Sequence, residues 1–275
     1  MDIVSGSASS KKEAGLGLFR SIAFTVLVLA IPVALVATNI RFAVSDVRVY
    51  DYSVREYSAA AAADIPESEL ISANRDLRSY LTSDDPGPLH IVVTNARGED
   101  EDLFNARETV HLADVRDLVQ GLFTVQLLAV ALTLTLVVAL LATGPVRVLA
   151  QALLYGSVFT VALAGAIGAI AALGFDGAWR QFHFLAFTND LWKLSPANDH
   201  LIQMFPRDFW LDMTVLIGAF TLLQVLLIAA ASTLYLYRTR SQEDGEEPAG
   251  HRAPFRRALE PRHRVPPPRP RHLTR

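Results

Sequence analysis

Residues 118–175 read LVQGLFTVQLLAVALTLTLVVALLATGPVRVLAQALLYGSVFTVALAGAIGAIAALGF, fifty-eight positions with Arg147 as the only charge. A helix rises about 1.5 Å per residue, so about 20 uncharged residues cross the hydrocarbon core of a bilayer. The passage therefore holds two crossings, Leu118–Val146 and Val148–Phe175. Between them Thr143-Gly144-Pro145-Val146-Arg147 supplies helix breakers and a return to water, which predicts a tight antiparallel hairpin. Ser21–Ile40 and Met213–Tyr237 are further uncharged runs of sufficient length. The expected fold is an all-α integral membrane bundle of four transmembrane helices, residues 18–40, 118–143, 148–174 and 212–237. A small mixed α/β extracytoplasmic cap, 41–117, a second outer loop, 175–211, a cytoplasmic N-terminal segment, 1–17, and a cytoplasmic tail, 238–275, complete it.

The chain has 275 residues, 51% of them hydrophobic and 19% charged, and no cysteine. Disulfides, zinc–thiolate sites, iron–sulfur clusters and thioester intermediates are excluded, which leaves histidine as the natural base. The net charge of −3 conceals a basic tail: residues 238–275 hold ten Arg against five acids. This Pro-rich tail lacks apolar periodicity, so disorder is expected, with its arginines available to anionic lipid or serving solubility alone. An even number of crossings puts both termini on one side. Lys11, Lys12, Arg20, Arg147, Arg238 and Arg240 assign that side to the cytoplasm, and both outer segments to the opposite face. The first run is longer than a signal-peptide core, and so reads as an anchor, with Pro32 expected to kink it. Small residues from Ala162 to Ala172 suggest helix packing. The mid-span charges that mark transport are missing from the sequence.

Within the cap, Val47–Val54 is rich in Val and Tyr and reads as a strand. Asp64-Ile65-Pro66-Glu67 predicts a helix start with Asp64 as N-cap, followed by Leu70, Ala73, Leu77 and Leu81 at helical spacing. Asp84–Pro88 reads as a turn, Leu89–Thr94 as a short strand, and Arg97–Asp102 as a polar loop whose acids Glu99–Asp102 face solvent. Asp199–Phe205 suggests a short helix.

Two histidine constellations carry the chemistry. Asn105 and Glu108 form a capping pair for a helix on which Arg107, His111 and Asp114 share one face, so that Asp114 or Arg107 can orient the imidazole of His111 or shift its pKa. His111 precedes Leu118 by seven residues, about 10 Å along a helix, which is headgroup level. The second constellation, Trp179–Trp192, sets His183 among interfacial aromatics. An anchoring belt is one reading; a histidine with its pKa lowered by apolar surroundings, facing the same leaflet as His111, is the other. Such a pair suits proton transfer in acyl chemistry. Zinc with Asp114 as third ligand is an alternative for which the HExxH pattern is missing. A lipid- or partner-binding cap without catalysis is another. His90, His200, His251, His263 and His272 show no convincing partners in the sequence.

Phe104-Asn105-x-Arg107-Glu108-x-x-His111-x-x-Asp114-Val115, Phe182-His183-x-x-x-Phe187-x-Asn189-Asp190-Leu191-Trp192 and Asp199-x-Leu201-Ile202-x-x-Phe205-Pro206-x-x-Phe209 together resemble the lipoprotein intramolecular transacylase family, over residues 18–237. The resemblance implies a cofactor-independent, metal-independent acyltransferase of the bacterial cytoplasmic membrane. Its reaction would move the sn-2 acyl chain of a diacylglyceryl lipoprotein to the α-amino group of that protein's N-terminal cysteine. It further implies that His111 and His183 are catalytic, with Arg107, Asp114, Asn189, Asp190 and Trp192 supporting them. The partners expected are the phospholipid bilayer and a lipid-modified lipoprotein, with no nucleic acid.

Overall fold

Pairs of buried positions on successive helical turns organise the four long helices. The computed structural model describes residues 3–85 and 87–245. The elements are α1 (Ile3–Ser45), α2 (Val47–Glu56), α3 (Ala59–Ala63), α4 (Glu67–Thr82), β1 (Val92–Thr94), β2 (Asp100–Asp102), α5 (Ala106–Thr143), α6 (Val146–Ala186), α7 (His200–Met204) and α8 (Arg207–Gly245). Helices α1, α5, α6 and α8 are each long and apolar enough to cross a membrane. The chain clusters into two units, 1–236 and 237–275. The described part of the second unit, 237–245, is helical, so the tail does not lose order at residue 238 as expected; residues 246–275 lie outside the described residues.

Near the α5–α6 hairpin, Ala23, Leu27 and Ile31 of α1 pack with Leu140 of α5 and with Leu149 and Ala152 of α6. A Cβ on Gly156 would come within 2.4 Å of the Ile31 side chain, so glycine sets the close approach of α1 and α6. Arg20 lies beside Gly144. One bilayer's thickness further along α1, about 30 Å by helical rise, Arg41 hydrogen-bonds Gln126 at 3.1 Å and covers the Phe123 ring. Arg41, expected as the first residue of the outer cap, thus stands level with residues inside the second apolar run, Leu118–Val146. Asn39 donates to Thr221 and Gln224 of α8, both at 2.9 Å, and Gln224 donates back at 3.2 Å. Pairing Asn39, Gln126, Thr221 and Gln224 in this way removes the cost of leaving those groups unsatisfied in hydrocarbon. Helix α1 runs through Pro32 as one element.

The cap departs from the sequence reading in several places. Val47–Glu56 is a helix, not a strand. Asp46 caps it by accepting from the Arg48 N–H at 3.0 Å, and Tyr50, Ser53 and Val54 form one buried face at helical spacing. Strand propensity expresses fit to a sheet surface, and packing overrides it here. Asp64 is not the N-cap of α4; Pro66 holds that position, while Asp64 closes α3 in the left-handed region. Part of the expected polar loop is strand β2, which pairs antiparallel with β1, Val92 opposite Asp102. His90 and His200 do have partners: Asp102 lies 3.3 Å from His90, and His200 Nδ1 donates to the Leu103 carbonyl at 2.7 Å.

One core unites both outer segments. Tyr50, Val54, Leu70, Leu77, Val93, Leu103, Phe104 and Leu112 bury against Met204, Phe205 and Phe209. That core fixes the beginning of α5 against the chain that follows α6. The expected loop 175–211 also begins as helix, because α6 continues past non-helical Gly174 to Ala186.

Candidate active site

The start of α5 is anchored before it presents any reactive group. Asn105 Oδ1 accepts from the Arg107 and Glu108 N–H groups, and Glu108 returns a carboxylate oxygen to the Asn105 N–H at 2.9 Å, a complete capping box. Glu108 is only 1% exposed, and its other oxygen accepts from the Leu201 N–H at 2.7 Å. Burial pushes its pKa up, against the opposing pull of those two N–H donors. Asn105 Nδ2 also donates to Asp199 at 2.9 Å, and Asp199 accepts from the Ser195 N–H at 2.6 Å. The ties to Leu201 and Asp199 cross more than ninety residues of sequence, which is why the capping pair is legible in the sequence and its second partners are not.

One turn further along α5, His111 is 5% exposed; His183, three residues before the end of α6, is 8% exposed. Their ring centroids are 6.4 Å apart with planes tilted by 31°. Phe187 closes the pair from one side, 5.0 Å from His111 and 5.7 Å from His183. Trp179 lies edge-on at 4.7 Å from His183, and Trp192 lies at 4.9 Å. Phe175, Trp179 and Phe182 stack along α6, and Trp179 stacks on Trp210 of α8 at 4.8 Å. This aromatic enclosure holds α6 to the cap.

His183 Nδ1 lies 2.8 Å from the Trp179 carbonyl oxygen. A carbonyl only accepts, so Nδ1 carries the proton, and in the neutral ring the lone pair is on Nε2. His111 Nδ1 is buried with no hydrogen-bond partner among the described residues. Both histidines lie beyond residues 118–143 and 148–174, the stretches read as spans. Burial, followed by the neighbouring His183, lowers the pKa of His111 to about 4, with Asp114 opposing. Burial also lowers that of His183, against the Trp179 carbonyl. Both rings are therefore neutral near pH 7.

The other expected site residues divide. Arg107 and Asp114 flank His111 and reach across to the segment after α6: Arg107 donates to the Lys193 carbonyl, and Asp114 accepts from Asn189 at 2.8 Å. Asn189 in turn accepts from the Leu191 N–H at 3.0 Å. Trp192 covers His183, its indole N–H buried without a partner among the described residues. Asp190 points away; it pairs with Lys193 at 2.7 Å and its side chain is 74% exposed. Among the described residues no three His, Asp or Glu side chains converge as metal ligands. Two close neutral imidazoles, one with a fixed acceptor nitrogen, can take a proton and return it within a single enclosure.

Comparison with known proteins follows the same lines. The family described as lipoprotein intramolecular transacylase Lit matches residues 25–210. No curated protein matches the sequence. Among solved structures, the membrane-integral lipoprotein intramolecular transacylase Lit from Bacillus cereus is 21% identical, with a TM-score of 0.69 over 83% of this chain and 99% of that one. A histidine-to-arginine variant of that protein aligns at 20% identity and a TM-score of 0.67, over 85% and 99%. A histidine-to-alanine variant gives 20% and 0.68, over 84% and 99%. At this identity the structural likeness carries the fold.

Proposed function

The chain belongs to the lipoprotein intramolecular transacylase family, and from that membership we propose the chemistry of its two histidines. It is a membrane-integral acyltransferase whose substrate is a diacylglyceryl lipoprotein with a free α-amino group on its N-terminal cysteine. The sn-2 acyl group moves to that amine and leaves a lyso-form lipoprotein. One N–C bond forms, one ester C–O bond breaks, and one proton passes from nitrogen to the glycerol oxygen, so no co-reactant is consumed.

His183 is the base. Its Nδ1–H is held by the Trp179 carbonyl, which leaves Nε2 to take the proton of the attacking amine and return it to the departing sn-2 oxygen. His111, neutral down to about pH 4, donates its N–H to the carbonyl oxygen as negative charge develops there. Because amine and ester belong to one molecule, holding them together supplies much of the rate. The Asn189–Asp114 and Arg107–Lys193 contacts position His111 relative to the segment that carries Trp192. Asp190, turned to solvent, is assigned to the Lys193 pair.

Both termini lie in the cytoplasm, and the site lies at the outer leaflet. Arg20 beside Gly144, with Arg147 next to it in the hairpin, supports this orientation, since the histidines are at the other end of α5 and α6. The 6.4 Å separation of the two rings carries the functional reading. Its test uses purified protein in vesicles with a synthetic diacylglyceryl-cysteinyl peptide, offered with its α-amine free or acetylated. Conversion to the N-acyl, lyso product is expected for the free amine alone, and loss of acyl groups to water from both peptides would contradict transacylation.

A further inference from the structure

Beside His183 lies a buried donor that neither histidine's proton transfer uses. The side chain of Trp192 has a single polar atom, the indole nitrogen, and its N–H can only donate. That atom is buried and has no hydrogen-bond partner among the described residues. Asn74, Arg116 and Gln203 also hold a buried polar atom without a partner, but each is tied through a second atom of the same group. Trp192 has no such second tie. Its ring meets His183 at 4.9 Å and Phe184 edge-on at 5.2 Å, and the Lys193 ammonium lies 5.4 Å from its centroid. Phe184 offers no oxygen or nitrogen, the ammonium only donates, and His183 forms no hydrogen bond with the indole. Burying a donor without an acceptor costs free energy, and that cost is recovered when an acceptor arrives.

The backbone around Trp192 is fixed on both sides. The Leu191 N–H donates to Asn189 at 3.0 Å, the Leu194 N–H donates to the Trp192 carbonyl at 2.9 Å, and the Lys193 carbonyl accepts from Arg107. A donor held in this way needs no reorganisation when charge develops near it. Its position also suits the reacting group. The attacking amine must come within about 3 Å of the His183 base, and the carbonyl oxygen, two bonds from that amine, needs a donor within about 3 Å. A ring 4.9 Å from that of His183 falls within the span of those few atoms.

We propose that Trp192 is a third catalytic residue, whose indole N–H donates to the sn-2 carbonyl oxygen of the substrate beside the N–H of His111. The inference rests on the transacylase reading and adds a second oxyanion donor to it. As the amine nitrogen bonds to the carbonyl carbon, the C=O electron pair moves onto oxygen, and the two N–H groups share that negative charge. When the C=O bond re-forms, the bond to the glycerol oxygen breaks and that oxygen takes the proton carried by His183. Unlike an imidazole, the indole does not change charge across the working pH range, so its donation is constant while the histidines titrate.

The test replaces Trp192 by 3-benzothienylalanine, which keeps the shape of the ring and exchanges its N–H for sulfur, and separately by Phe. Each variant is assayed in vesicles with the diacylglyceryl-cysteinyl peptide. Binding is measured for two unreactive lipopeptides, one with a phosphonate anion in place of the sn-2 ester carbonyl and one with an ether there. The benzothienyl variant should lose about tenfold or more in kcat with KM within about twofold of wild type. It should bind the phosphonate more weakly by the same factor and the ether as wild type does, because the donor acts on developed charge. Its melting temperature should equal or exceed that of wild type, since the resting protein loses no hydrogen bond. Trp192→Phe should lose kcat in the same direction. Wild-type kcat in either variant overturns the proposal. So does a loss confined to KM, which would assign the N–H to the ground-state substrate, or a lower melting temperature with kcat kept, which would assign it to the fold. Failure of the wild type to convert the peptide would instead remove the transacylase reading, and this role with it.

Discussion

Replacing Asn189 by Ala should slow transacylation about tenfold, and the size follows from one hydrogen bond. Asn189 Nδ2 donates to Asp114 at 2.8 Å while its oxygen accepts from the Leu191 N–H at 3.0 Å, which joins α5 one turn beyond His111 to the segment carrying Trp192. A hydrogen bond to a charged group contributes about 1.5–3 kcal/mol. Both partners are half-buried, so the lower end applies, and about 1.4 kcal/mol of lost transition-state positioning is a factor of ten in rate. The assay is the initial rate of lyso-lipopeptide formation in vesicles, with kcat and KM separated. Asn189→Ala and Asp114→Ala should each lower kcat and leave KM near wild type, and the double variant should be no slower than the slower single, because both remove the same contact. Independent, multiplicative losses, or an effect confined to KM, would refute a shared positioning role.

Glu108→Ala should destabilise the protein, because it strands the Asn105 and Leu201 N–H groups, at a cost of about 1–3 kcal/mol each; the melting temperature in detergent checks this. The buried histidines also make stability fall in acid. Their folded pKa values lie below the unfolded value of about 6.5, so the unfolded chain binds more protons as pH drops from 6.5 toward 4, the value to which His111 is lowered. His111→Phe should flatten that decline in a melting series, and an unchanged slope would contradict neutral burial of His111.

How far the sequence carried depends on the range of each interaction. Uncharged length alone predicts four long apolar helices, because the bilayer thickness acts on every residue of a span equally. Asn105 and Glu108 were readable as a cap since the partners are three residues apart; their ties to Asp199 and Leu201 depend on tertiary placement. Val47–Glu56 misled because its valines and tyrosines satisfy strand propensity, while its buried positions Tyr50, Ser53 and Val54 follow the helical period. The segment after Gly174 reads as a loop by its interfacial aromatics, although Phe175, Trp179, Phe182 and His183 repeat at helical spacing.

The measurement that bears most directly on the central claim is mass spectrometry of the N-terminal lipopeptide of a diacylglyceryl lipoprotein, from bacteria producing this chain or its His111→Ala, His183→Ala double variant at equal membrane level. Wild type is predicted to yield cysteine with an acylated α-amine and a glyceryl group short of its sn-2 chain, and the double variant to leave the diacylglyceryl form with a free amine. The same acylated product from the double variant, or an unchanged free-amine form with folded wild-type protein in the membrane, would contradict histidine-dependent transacylation.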